Sequence, residues 1–174
     1  MTRIDTRRLA FNAVLIAMYF ILNLFSIKIG NNIKLTFVAF PRLVAALFFG
    51  PLDGLFVAGI GEFLVQLLSF GLMPTTILWM IPPMAHALII GCYARRKGRE
   101  LSYRQTGFIV LVAGLATTCI TTAALYADAR IWGYPAALTG VVLLFRFVNS
   151  IIMAAIYTAI TPRMLHLLRR AIKR

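Results

Sequence analysis

Acidic residues are what this chain lacks most. Its 174 residues include five, Asp5, Asp53, Glu62, Glu100 and Asp128, against eighteen Lys and Arg. Five carboxylates do not dress the surface of a soluble protein of this size. With 61% hydrophobic residues, the exterior calls for lipid as its solvent. Cysteine is also scarce. Cys92 and Cys119 are far apart, lie in apolar surroundings and have no metal-type spacing, so they read as small core-filling residues. There is no G-x-x-x-x-G-K-[ST] loop, no H-E-x-x-H motif and no set of residues for a hydrolytic triad. These absences argue against an ATPase or other soluble catalytic domain, and no metal or cofactor is expected. The first apolar run, residues 9–25, follows a basic start without a small-residue cleavage site and reads as a membrane helix rather than a cleaved leader.

The net charge of +13 has two explanations. In a soluble protein it would suggest nucleic acid. Here the cations cluster between apolar runs, so the asymmetry of membrane-protein loops explains them and no nucleic-acid partner is expected.

A spanning helix needs about 20 mostly apolar residues. Hydropathy and breakers predict helices near residues 7–25, 37–49, 54–70, 75–93, 105–126 and 139–168, the second short for a full span. Between the first two, Ile27/Ile29 and Ile33/Leu35 alternate around Gly30-Asn31-Asn32, a small hairpin. Residues 50–54 read as a tight turn, Pro74 as part of the first turn of helix four, and Pro82-Pro83 as a kink within it. Residues 94–104 form the most basic loop, and residues 127–138 another loop. The expected fold class is an all-α membrane protein, six transmembrane helices in a single domain spanning residues 1–174. One side of such a bundle holds thirteen cations, including Arg7, Arg8, Arg95, Arg96, Lys97 and Arg163; the other holds Lys28, Lys34 and Arg130. Both termini are therefore expected to be cytoplasmic, with the chain multi-pass in the cell membrane.

Ionisable and polar groups inside a bilayer are costly and point to function. Arg42 lies near the outer end of helix two and Arg146 about two turns into helix six. Glu62 and Gln66 share a face of helix three, extended by Ser69, and Arg146, Asn149 and Ser150 share one on helix six. Helix five adds Thr117, Thr118, Thr121 and Thr122; helix four adds Trp79 and His86. Together they suggest an outward-opening polar pocket closed by the loops at 26–36 and 127–138. A structural alternative stands beside it: Glu62 neutralises one arginine and the threonines bond their own backbones. Two arginines against one glutamate leave a surplus cation, which favours an anionic ligand. His86 alone reads as a satisfied core histidine. Trp79, Trp132 and Tyr134 fit either a stack against a flat ring or an interfacial belt. The candidate ligand residues are Arg42, Glu62, Gln66, Trp79, Thr121, Tyr134, Arg146 and Asn149. Ala13 and Ala17, four apart on helix one, form a small-residue face that another helix can approach.

The chain resembles the substrate-binding (S) components of energy-coupling factor (ECF) vitamin transporters over nearly its whole length. The likeness rests on Arg7-Arg8 followed by Ala13-x-x-x-Ala17, on Lys34-Leu35-Thr36-Phe37 with Phe40-Pro41, and on Phe48-Phe49-Gly50-Pro51. It continues through Gly54, Gly59 and Gly61, and Pro74-Thr75-Thr76-Ile77-Leu78-Trp79 looks most like the folate-type branch. The resemblance implies a six-helix vitamin-binding subunit, not an enzyme, that works with a membrane coupling protein and two ATPase subunits. It implies that Ala13 and Ala17 dock the coupling protein. Two arginines and nearby aromatics favour folate, with pantothenate as the alternative. Of the other classes, a lipid-modifying membrane enzyme with Glu62 or His86 as base lacks a nucleophile or metal set, and a small channel or accessory subunit is the third reading.

Overall fold

Long apolar runs in a chain with few breakers satisfy their backbone polar groups most simply as helices. A computed structural model describes residues 6–29, 33–98, 101–134 and 140–172. Among the described residues there are six helices: α1 (Thr6–Leu24), α2 (Ala39–Phe48), α3 (Pro51–Phe70), α4 (Thr76–Arg96), α5 (Tyr103–Trp132) and α6 (Gly140–Ile172). The predicted hairpin is present as antiparallel β1 (Ile27–Ile29) and β2 (Ile33–Leu35), with Ile27 opposite Leu35. Its turn at 30–32 lies outside the described residues, as do residues 1–5, 99–100, 135–139 and 173–174.

Five helices are long and apolar enough to cross a membrane, not the six expected. The exception is α2. Its 10 residues rise about 15 Å, half of a hydrocarbon core of about 30 Å. The chain ends α2 at Gly50, whose φ of 121° suits glycine, and restarts at once with Pro51 in the first turn of α3. The turn expected over residues 50–54 is therefore confined to Phe49 and Gly50, because proline is preorganised for a helix start. Pro74, expected inside the first turn of α4, precedes it; the Thr76 hydroxyl instead accepts the Met73 N–H at 3.0 Å. The helix then runs without interruption through Pro82 and Pro83. The largest difference is in α5. The segment expected as a loop from residue 127 stays helical to Trp132 and stops at Gly133, which is left-handed at φ 70°.

Helix ends meet in register. Arg8 near the start of α1 forms an ion pair with Asp53 in the first turn of α3, and Asn12 donates to the same carboxylate at 2.7 Å. A Cβ on Gly91, near the end of α4, would lie 2.5 Å from Pro51 Cα, and one on Gly107 2.9 Å from Thr158 of α6. The starts of α1, α3 and α5 and the ends of α2, α4 and α6 thus share one end of the bundle. That end carries Arg8, Arg95, Arg96 and Lys97. The hairpin follows the end of α1 and so lies at the other, and the Thr36 carbonyl between it and α2 accepts from Tyr157, midway along α6, at 2.9 Å.

Small residues set the spacing inside. Ala45, Ala46, Ala58, Ala87 and Ala113 are fully buried beside Leu43, Val57 and Ile90, and a Cβ on Gly54 would sit 2.7 Å from that of Ala46. Close backbone approach of this kind is how helices associate where apolar burial gives no drive. The outer faces are the reverse: Val14 and Ile21 on α1, and Val141, Leu144, Phe145 and Ile151 on α6, are exposed. This surface is matched to lipid.

Candidate ligand-binding site

The shortness of α2 creates the site. Arg42, the fourth residue of α2, lies beside the middle of α4 and the last third of α1. Its Nε donates to His86 Nδ1 of α4 at 3.3 Å, and its Nη1 to the Tyr19 hydroxyl of α1 at 3.3 Å. The imidazole nitrogen facing Arg42 therefore carries no proton, and His86 is the buried, satisfied histidine expected. Tyr19 in turn donates to Glu62 Oε2 at 2.8 Å, and Gln66 Nε2 donates to Glu62 Oε1 at 2.9 Å. Room for the Tyr19 ring comes from Gly61, where a Cβ would lie 2.7 Å from the ring.

Two cavities open along this network. The larger, about 640 Å³, is walled by the hairpin-end halves of α1, α3, α4 and α5 and by the start of α2. Arg42, Glu62, Gln66, Trp79, Thr121 and Tyr134 all line it. The smaller, about 160 Å³, is lined by Arg146, Asn149, Ser150 and His86. Arg42 and Thr117 line both, so the two meet there. The larger volume lies within the range of small-molecule sites. The eight residues expected at one site thus divide between two adjoining spaces. Ser69, expected to extend the Glu62 face, is exposed and lines neither.

Two expectations about charge are corrected. No ion pair joins Glu62 to either arginine among the described residues. Glu62 is held by Tyr19 and Gln66, and Arg146 Nη1 donates to Thr122 Oγ1 at 3.2 Å. Nor does Glu62 stand alone. Because α5 continues past residue 127, buried Asp128 lines the larger cavity, and the charges stand two against two. They are separated, with both cations at the smaller cavity. The threonine expectation holds: Thr117, Thr118, Thr121 and Thr122 each donate to the carbonyl four residues back.

The residues missed in the sequence are Tyr19 and Asp128. A signal for Asp128 existed in the stripe Thr117, Thr121, Asp128 and Trp132, whose steps of four, seven and four stay on one helical face. Reading a loop from residue 127 hid it. Asp128 Oδ2 accepts a bond from the Tyr134 hydroxyl. That bond first, then burial and the carboxylate charge, pushes the Tyr134 hydroxyl up to about 12, so it stays a donor at neutral pH.

The model of the family described as ECF-type riboflavin transporter, S component, matches residues 3–168. The chain belongs to this family. As an S component it is a transport subunit and not an enzyme. Its fold is similar to that of a solved S component of a bacterial ECF transporter, at 20% identity and a TM-score of 0.73, over 97% of this chain and 99% of that one. It is also similar to FolT bound with folic acid, at 19% identity and a TM-score of 0.70, over 94% and 97%. At these identities the likeness is one of fold. No curated protein matches the sequence.

Proposed function

We propose that this S component captures a flat-ringed anionic vitamin of the folate class and hands it to a coupling module for import. One observation carries the reading. Arg42 lines both cavities, yet spends only Nε and Nη1 on His86 and Tyr19; its Nη2 has no acceptor among the described residues. An arginine with donors to spare in a pocket suits a carboxylate. Arg146 lines the adjoining space and adds a second cation. Trp79, Trp132 and Tyr134 give the larger cavity aromatic faces for a ring, and Gln66, Thr121 and Asn149 supply neutral polar contacts. The folic-acid complex of a protein with this fold supports the same class.

Riboflavin is the second reading. It is favoured by the family's description and by the balance of two cations with two carboxylates. Pantothenate, small and aliphatic, uses neither the aromatic faces nor the length of the cavity. Calorimetric titration of the purified protein with each of the three, with mass spectrometry of any ligand carried through purification, decides among them. Folate is the expected result; binding of riboflavin alone moves the assignment to the second reading.

The transport cycle needs partners: a membrane coupling protein and two ATPase subunits. Ala13 and Ala17 are exposed on α1, which supports their role as the face that a partner helix approaches. The basic end of the bundle is taken to face the cytoplasm, both termini with it, by the positive-inside rule. The site then opens outward from the cell membrane.

A further inference from the structure

Asp128 is the one charged group of the larger cavity with an oxygen to spare. It is 9% exposed, and while Oδ2 accepts from Tyr134, its buried Oδ1 has no hydrogen-bond partner among the described residues. A buried carboxylate oxygen without a donor is costly, and the residue that carries it lines the cavity. Tyr134 holds Oδ2, and a small turn of the side chain brings the unpartnered Oδ1 to a guest in the cavity.

Position adds the rest. On α5, Thr117 lies where the two cavities meet and Asp128 eleven residues on, about 16 Å along the helix at 1.5 Å per residue. Trp132 is one turn beyond Asp128, and Trp79 lines the same cavity. The spaces therefore present an acceptor beside aromatic faces at one end and arginine donors at the other.

We infer that Asp128 reads the N–H edge of a flat heterocycle. Oδ1 accepts from a ring or amino N–H while the ring lies against tryptophan, and the ligand's anionic end reaches Arg42. The ligand class is thus an elongated, two-ended molecule: an amino-substituted heterocycle at one end, a carboxylate at the other. The inference rests on the vitamin-binding reading above and deepens it by naming what recognises the ring.

The test is calorimetry of the full chain in detergent with two probes. Folate carries the pterin heterocycle and its N–H donors; p-aminobenzoylglutamate carries the carboxylates on an aminobenzoyl group without the heterocycle. Asp128→Asn is isosteric but turns an acceptor towards a mixed donor and acceptor. It should weaken folate at least about tenfold, the scale of a charge-assisted hydrogen bond, and leave the fragment within about twofold. Tyr134→Phe keeps the carboxylate and should weaken folate less than Asp128→Asn. Unchanged folate affinity in Asp128→Asn overturns the inference, and so does an equal loss for both probes, which marks a purely structural role. A wild-type protein that binds neither probe overturns the folate reading itself, and this inference with it.

Discussion

Tyr19 donates its hydroxyl to Glu62 at 2.8 Å, and it is this hydroxyl, not the carboxylate, that Arg42 reaches. The cation and the anion in the middle of the bundle are relayed through a phenol instead of neutralising each other by contact. Arg42 keeps its charge and part of its donor set for the cavity.

Removing the relay should therefore damage both sides. Tyr19→Phe keeps the ring against Gly61 but leaves Glu62 Oε2 without a donor and Arg42 Nη1 without an acceptor. Each lost partner costs on the order of 1–3 kcal/mol when the group stays buried. We expect a lower melting temperature in detergent and a several-fold loss of folate affinity. Unchanged values in both measurements would show that the relay is dispensable.

Arg42→Ala and Arg146→Ala should each weaken folate binding by about tenfold or more, the equivalent of one charge-assisted hydrogen bond. Arg42→Lys should also weaken it, because lysine keeps the charge and loses the fork. Arg146 should be the milder site, since it lines the smaller cavity and already donates to Thr122. Calorimetry on folded variants checks the order; wild-type affinity in both alanine variants would assign the arginines to structure.

Bulk on the small-residue face of α1 should separate binding from transport. Ala13→Trp with Ala17→Trp adds volume at two exposed positions, so the bundle and its ligand affinity should persist. Vitamin uptake by cells and co-purification of the ATPase complex should be lost. Uptake at the wild-type rate would move the docking face elsewhere.

Orientation can be read chemically. Cys92 and Cys119 are exposed on the outer faces of α4 and α5, not core-filling as their apolar surroundings suggested, and are first replaced by serine. Lys97→Cys then places a thiol just beyond α4, next to Gly98, whose φ of 85° makes it the poorer position for a side chain. From the charge asymmetry, an impermeant thiol reagent should label it only after the cells are opened. Labelling in intact cells would reverse the bundle.

Hydropathy and charge in the sequence determined the membrane class, the five long apolar helices, the hairpin and the clustering of cations at one end. Each of these is a local pattern, written within one run of residues or its flanks. The resemblance carried by the glycine and proline pattern led to the S-component family. Face-sharing rules also grouped Glu62 with Gln66 and Arg146 with Asn149, because helical spacing is local too. Only the tertiary structure decided which groups meet between helices. Tyr19 and Glu62 are 43 residues apart, and Arg42 and His86 44 apart, so no window of sequence holds both partners. Tertiary structure also overrode the loop expected from residue 127. Once that segment stays helical to Trp132, Asp128 turns from a loop acid into a buried carboxylate on the cavity wall, and the charge balance of the site changes with it. A residue's charge is written in its own letter, whereas its partner and its solvent are set by how the helices pack.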